Sequence, residues 1–94
     1  MFVVLVEFEI ETSKIKAFTD RVKLQADDSL SLEPECHMFD VCVDAASTNN
    51  IVLYEVYTNE AAFKGHLASD HFKAFDAEVA PWIQSKSVRT LTRL

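Results

Sequence analysis

Two of the chain's three histidines fall in the stretch HLASDHF, as His66 and His71. Imidazoles change charge near neutral pH, so a pair of them can divide acid and base work. On one continuous helix a five-residue separation would turn their side chains roughly 140° apart. They act together only if the chain bends between them. Ser69 or Asp70 can cap a new helix, which puts His66 at the end of one helix and His71 in the first turn of the next. The helix dipoles then favour a charged His66 and a neutral His71. An acid and a base poised in this way can move protons beside a carbonyl.

Other polar candidates sit in apolar runs: Tyr54 and Glu55 in LYEVY, and Asp40 in MFDV. Each acid either orients a histidine or a substrate hydroxyl, or pairs structurally with Arg89 or the backbone. An unpaired buried carboxylate would be too costly. His37, beside a turn, reads as structural or exposed. Phe39, Phe63, Phe72, Phe75 and Trp82 read as core, with some facing a pocket. No glycine-rich phosphate loop is present, so a phosphate would rest on scattered Lys, Arg or helix-end N–H groups.

The elements that must position these groups follow from periodicity. In FVVLVEFEI, Phe2, Val4, Val6, Phe8 and Ile10 share one strand face, and Val3, Leu5, Glu7 and Glu9 share the other. Thr12 or Ser13 can cap a helix with an apolar stripe at Ile15, Phe18, Val22 and Ala26, ending near Asp27 and Asp28. Pro34 disfavours helix at Glu33. CHMFDVCVD and NIVLYEVY, separated by AASTNN, read as a hairpin. Thr58 or Asn59 can cap a short helix weakened by Gly65, and HFKAFDAEVAPW follows with a Phe72–Phe75–Val79 stripe. SVRTLTRL reads as a last strand.

The order is βαββαβ with the second helix broken. This predicts an α+β, ferredoxin-like plan with helices on one face of a four-stranded antiparallel sheet. Leu5, Leu53 and Tyr57 are expected on the other face, where a second copy of the chain would cover them in a two-fold dimer.

At 94 residues the sequence reads as a single domain, 1–94. It is 49% apolar with seven phenylalanines and only one glycine, so little of it is spent on loops. A net charge of −6 with dispersed Lys and Arg excludes a phosphate-neutralising stripe, so no nucleic-acid partner is expected. The apolar N-terminus is too short for a membrane span and carries Glu7 and Glu9, so no membrane partner is expected either. Cys36 and Cys42 in one strand would lie roughly 20 Å apart, beyond disulfide reach. Reduced thiols suit a cytoplasmic location. No CxxC or HxxxH spacing is present, and no metal is expected.

EPECHMFDV and LYEVYTNEAAFKGHLASDHFKAF closely resemble the antibiotic biosynthesis monooxygenase domain. They carry its Glu-Pro-Gly-Cys-like turn, Phe-Asp-Val strand, Tyr-Glu-x-Tyr strand and His-x-x-x-x-His-Phe helix junction. The resemblance covers nearly the whole chain and is densest from 33 to 75. It implies a dimeric α+β barrel acting on a small molecule without a cofactor. Phe39, Asp40, Tyr54, Glu55, His66 and His71 match positions that the small quinol-oxygenase-like and autoinducer-2-phosphate-isomerase-like members tend to share. Glu35 replaces the usual glycine of the turn. AAFKGHLAS lacks the tryptophan of the actinorhodin-type enzymes, which argues against their quinone mechanism and against haem degradation.

The resulting expectation is a cofactor-independent monooxygenase of quinol-like or enolisable aromatics. His71 is the expected base and His66 its partner, with Glu55 and Tyr54 also catalytic. Phe39, Asp40, Phe63 and Phe72 are the expected pocket residues. The alternatives are an isomerase of a phosphorylated hydroxy-dione and a non-catalytic small-molecule-binding or stress-response module.

Overall fold

A computed structural model describes residues 1–94. The chain runs β1 (Phe2–Ile10), α1 (Ile15–Leu32), β2 (Cys36–Val43), β3 (Asn50–Tyr57), α2 (Glu60–Ala68), α3 (Asp70–Val79) and β4 (Ile83–Thr92). The antiparallel sheet has the order β2-β3-β1-β4. This is the expected α+β ferredoxin-like plan.

The strand register decides which side chains meet the helices. Val4, Val6, Phe8 and Ile10 of β1 are buried against Phe18, Val22 and Ala26 of α1 and Phe75 and Val79 of α3. Val6 lies opposite Leu53 and Val4 opposite Glu55. Ile51, Leu53, Glu55 and Tyr57 therefore share this helix-covered side and are all buried. The placement of Leu53 and Tyr57 on the uncovered face is corrected accordingly. A charge at Leu53 would enter the core, so it should unfold the chain and not merely dissociate a dimer. The open face instead carries rows such as Met38, Val56, Val3 and Leu91, then Asp40, Tyr54, Leu5 and Arg89.

Several local expectations shift. Thr12–Lys14 forms a 3-10 turn in which Ser13 hydrogen-bonds Glu11, and no side chain caps α1. Helix α1 runs past the aspartates to Leu32, because Ala26 and Ser29 continue its buried stripe. Pro34 then holds Glu33 extended as the C-cap (φ −114°, ψ 101°). Asn59 Oδ1 caps α2 by accepting the Ala62 N–H at 2.9 Å, and β4 begins four residues earlier than SVRTLTRL, at Ile83. In β2 a register shift between Cys36 and Met38 inverts the strand, leaving Cys36 buried and Cys42 exposed as free thiols.

Helices α1 and α3 are clamped by Arg21, whose Nε donates to Glu78 at 2.7 Å and whose guanidinium sits 5.3 Å from the Phe75 ring centroid. No helix packs closely over β4, and Val88 is 49% exposed on the helix side of the sheet. The layer between helices and sheet is thus closed at β2 and open toward β4. No helix is long and apolar enough to cross a membrane.

Candidate active site

The bend between the histidines is built by Ser69. Its backbone is extended (φ −71°, ψ 149°), ending α2 and starting α3. Its Oγ donates to the His66 carbonyl at 2.6 Å and accepts the Phe72 N–H at 3.3 Å, so one hydroxyl serves both helix ends. The turn brings the two imidazoles together, with ring centroids 5.8 Å apart in an edge-on arrangement.

The group they converge on is Glu33, which sequence reasoning missed. His66 Nδ1 donates to Glu33 Oε2 at 2.7 Å. His71 Nε2 lies 2.7 Å from the same oxygen but is not aligned for a directed hydrogen bond. The Gln25 amide reaches His71 Nδ1 at 3.1 Å. Gln25, Ser29 and Glu33 recur every four residues at the end of the α1 stripe, and the first two are fully buried. Polar residues continuing an apolar helical period were the available signal for this line.

His66 is 3% exposed. Its ring is surrounded by those of Phe39, Tyr57, Phe63 and Phe72, at centroid distances of 5.0 to 6.2 Å. Burial lowers its pKa, outweighing the opposing pull of Glu33. The dipole-based expectation of a charged His66 is therefore reversed. Desolvation in an aromatic box outweighs the field of a helix end.

His66 also lines a cavity of about 50 Å³ between helices and sheet, together with Phe39, Leu53, Glu55, Phe63, Phe72, Phe75, Lys86 and Val88. With Nδ1 held by Glu33, Nε2 is the nitrogen left to meet a ligand there. Glu55, 3% exposed, accepts a 2.5 Å hydrogen bond from the Tyr57 hydroxyl. Burial raises its carboxyl pKa to about 7, against the opposing effects of that hydrogen bond and of Lys86. Burial and the neighbouring acid also push the Tyr57 phenol far above its ordinary range, so it remains a donor. Burial raises the Cys36 thiol to about 11, which leaves it unreactive. Lys86 Nζ stands 5.6 Å from the Phe8 ring centroid at the β4 side of the cavity.

Phe39, Phe63 and Phe72 line the cavity. His71 does not line the cavity and stands behind Glu33. Tyr54 and Asp40 are paired on the opposite sheet face, so the structure does not bring them to the histidines; Asp40 borders a separate groove along β2. Arg89 lies opposite Leu5 on that same far face, and the partner of Glu55 is Tyr57. His37 Nε2 contacts Thr58 Oγ1 at 2.7 Å and stands apart from this site.

The site is a small, mostly apolar cavity in a ferredoxin-like α+β domain, under a broken second helix. The sequence profile of the antibiotic biosynthesis monooxygenase family matches residues 1–78, and the chain belongs to that family. Among solved structures it resembles a Nitrosomonas europaea protein provisionally named an antibiotic biosynthesis monooxygenase. The TM-score is 0.95 at 25% identity, over 100% of this chain and 99% of that one. A similarly named protein from Bacteroides thetaiotaomicron gives 0.92 at 25% identity, covering 99% and 89%. One from Caulobacter crescentus gives 0.95 at 20% identity, covering 99% and 89%, which shows the shared fold alone. No protein of curated function matches the sequence. Family membership supports a monooxygenase-like function toward small molecules.

Proposed function

We propose that the chain is a cofactor-independent monooxygenase of a quinol-like or enolisable aromatic, with His66 as the base and Glu55 as the acid. The observation that carries this reading is one apolar cavity lined by both a Glu33-paired imidazole and a carboxyl that burial raises to about 7. His66 Nε2 takes the proton of the substrate hydroxyl, and Glu33 stabilises the imidazolium formed, as a carboxylate partner does for a general base. The electron-rich anion then gives an electron to dioxygen, and the radical pair joins to a hydroperoxide. The imidazolium returns its proton to the peroxide oxygen. His66 then removes the C–H proton as the O–O bond breaks and water leaves, so that substrate SH2 and O2 become S=O and H2O. The Glu55 carboxyl supplies the proton to the departing oxygen, and the proton on His66 restores Glu55. His71 acts through Glu33 and is a positioning residue.

The enclosed volume of about 50 Å³ suits dioxygen and the reacting edge of a ring. The rest of a substrate would lie over Lys86 and Val88, where no helix covers the sheet. A second copy of the chain covering the open face, over Val3, Leu5, Val56 and Leu91, completes the proposed assembly. Isomerisation of a phosphorylated dione finds less support, because Lys86 is the single cation among the cavity residues.

The test is oxygen uptake with a panel of hydroquinones, corrected for autoxidation, beside assays of a phosphorylated dione under nitrogen. Catalysed uptake matching quinol loss, and lost in His66→Ala, is the expected result. Turnover of the dione under nitrogen with no catalysed oxygen uptake would overturn it.

A further inference from the structure

The Glu33–His66–His71 cluster has a second chemistry that proton transfer does not use. We infer that these three side chains form a binding site for a divalent transition-metal ion of the Zn²⁺ class. Each of the three offers one ligand atom, and those atoms all lie within 4.8 Å of one another; His66 Nδ1 and His71 Nε2 each stand 2.7 Å from Glu33 Oε2. Two imidazoles and one carboxylate suit borderline dications such as Zn²⁺ or Fe²⁺, whereas Mg²⁺ and Ca²⁺ prefer oxygen donors. Zinc–ligand bonds of about 2.0–2.2 Å place the donors of a tetrahedral site roughly 3.3 Å apart. The present 2.7 Å contacts to Oε2 would thus open by about half an ångström.

Three further observations point the same way. His71 Nε2 is buried without a directed hydrogen bond and stands 2.7 Å from Glu33 Oε2, so a ligand atom already faces the cluster. Gln25 supports either tautomer of His71: its amide nitrogen now meets Nδ1, and a half-turn would offer Oε1 to Nδ1–H once Nε2 binds a metal. Finally, the cluster has its own entrance, separate from the apolar cavity. An open groove between the Leu32–Glu35 turn and α2 reaches Glu33 and His66 and carries Glu33 and Glu35 with no Lys or Arg. A cation approaching there meets negative charge, and water could supply a fourth ligand.

This inference does not require the proposed reaction. It has a consequence for it: an ion on His66 Nδ1 displaces the proton shared with Glu33 and moves it to Nε2, so a metal-loaded His66 is no longer a base for the cavity. Occupancy and proton abstraction exclude each other.

Calorimetric titration of the full chain with ZnCl2 in a non-chelating buffer should give one ion per chain with micromolar or tighter affinity. X-ray absorption of the zinc-loaded wild type should show two imidazoles, oxygen, and no sulfur. Glu33→Gln should weaken binding at least tenfold and His71→Gln more, while His37→Ala and Cys42→Ser leave it unchanged. Absence of binding up to millimolar zinc, a sulfur-containing shell, or binding that survives His71→Gln and vanishes in His37→Ala would overturn the site. The absorption measurement uses only the wild type, so a variant that fails to fold does not obscure the answer.

Discussion

Two acidic side chains bordering the layer between helices and sheet have different partners. Glu33 ends a helix beside a groove and meets two imidazoles. Glu55 sits mid-strand among apolar residues and meets a phenol. The phenol donates a short hydrogen bond, yet the Glu55 carboxyl is still pushed to about 7, because one neutral donor does not replace the lost hydration of a carboxylate. Imidazoles differ in kind: they can take up the proton and carry the countercharge themselves. The partners differ in what they can do with a proton: an imidazole can accept one, whereas the phenol here only donates a hydrogen bond.

The most damaging way to break this contrast is on the imidazole side. His66→Ala should lower turnover roughly 10²–10⁴-fold per folded molecule, the usual contribution of a positioned general base. His71→Ala, one layer behind Glu33, should lose less. Steady-state kinetics, normalised by circular dichroism for folded protein, check the order. A larger loss in His71→Ala would restore the assignment of His71 as the base.

That order could not be read from the sequence. HLASDHF announced its bend through Ser69, and alternation in β1 and β3 announced the strands, because capping and strand period are local. The assignment of strand faces to the helices was not local: it depended on pairing Val6 with Leu53, and it moved Leu53, Glu55 and Tyr57 together to the covered side. The same pairing removed Tyr54 and Asp40 from the site. Glu33 was hidden for a related reason. It is 33 residues from His66, and its role depends on Pro34 ending α1 at that turn. Its lone sequence trace is the polar run Gln25, Ser29, Glu33 at helical spacing.

On the carboxyl side, Glu55→Gln should change the pH dependence of stability. The folded pKa of about 7 exceeds the ordinary 4.5. Below pH 4.5 both folded and unfolded chains hold this proton, and the penalty is absent. As pH rises, the unfolded chain releases it first, and the wild type loses about 3 kcal/mol by the time pH passes 7. Glutamine keeps a neutral acceptor for Tyr57 and has no such loss. Thermal melts should therefore show the variant gaining on the wild type from about pH 5 to about pH 8. Parallel curves would mean that Glu55 is not held neutral by its surroundings. The charged or titratable groups acting on it are Tyr57, Glu33 and Lys86, with Cys36 beside Tyr57; none is altered by this substitution.

Tyr57→Phe gives the smallest effect and the opposite sign. The hydroxyl opposes the burial of Glu55, so its removal should raise that carboxyl above about 7 and move any activity limb set by Glu55 to higher pH. Near pH 5.5, where Glu55 is protonated, the loss is that of a neutral hydrogen bond, roughly 0.5–1.5 kcal/mol. Near pH 8.5 the lost bond is one to a charged acceptor, roughly 1.5–3 kcal/mol. The destabilisation should therefore grow with pH, where that of Glu55→Gln reverses. In the double variant the acceptor is neutral throughout, so the Tyr57→Phe cost measured on the Glu55→Gln background should be the same at both pH values. Urea melts of the four proteins at the two pH values decide the matter. If Tyr57→Phe costs the same at both in the Glu55 background, the phenol is not bonded to a titrating carboxyl, and Glu55 loses its claim to the proton that leaves with water.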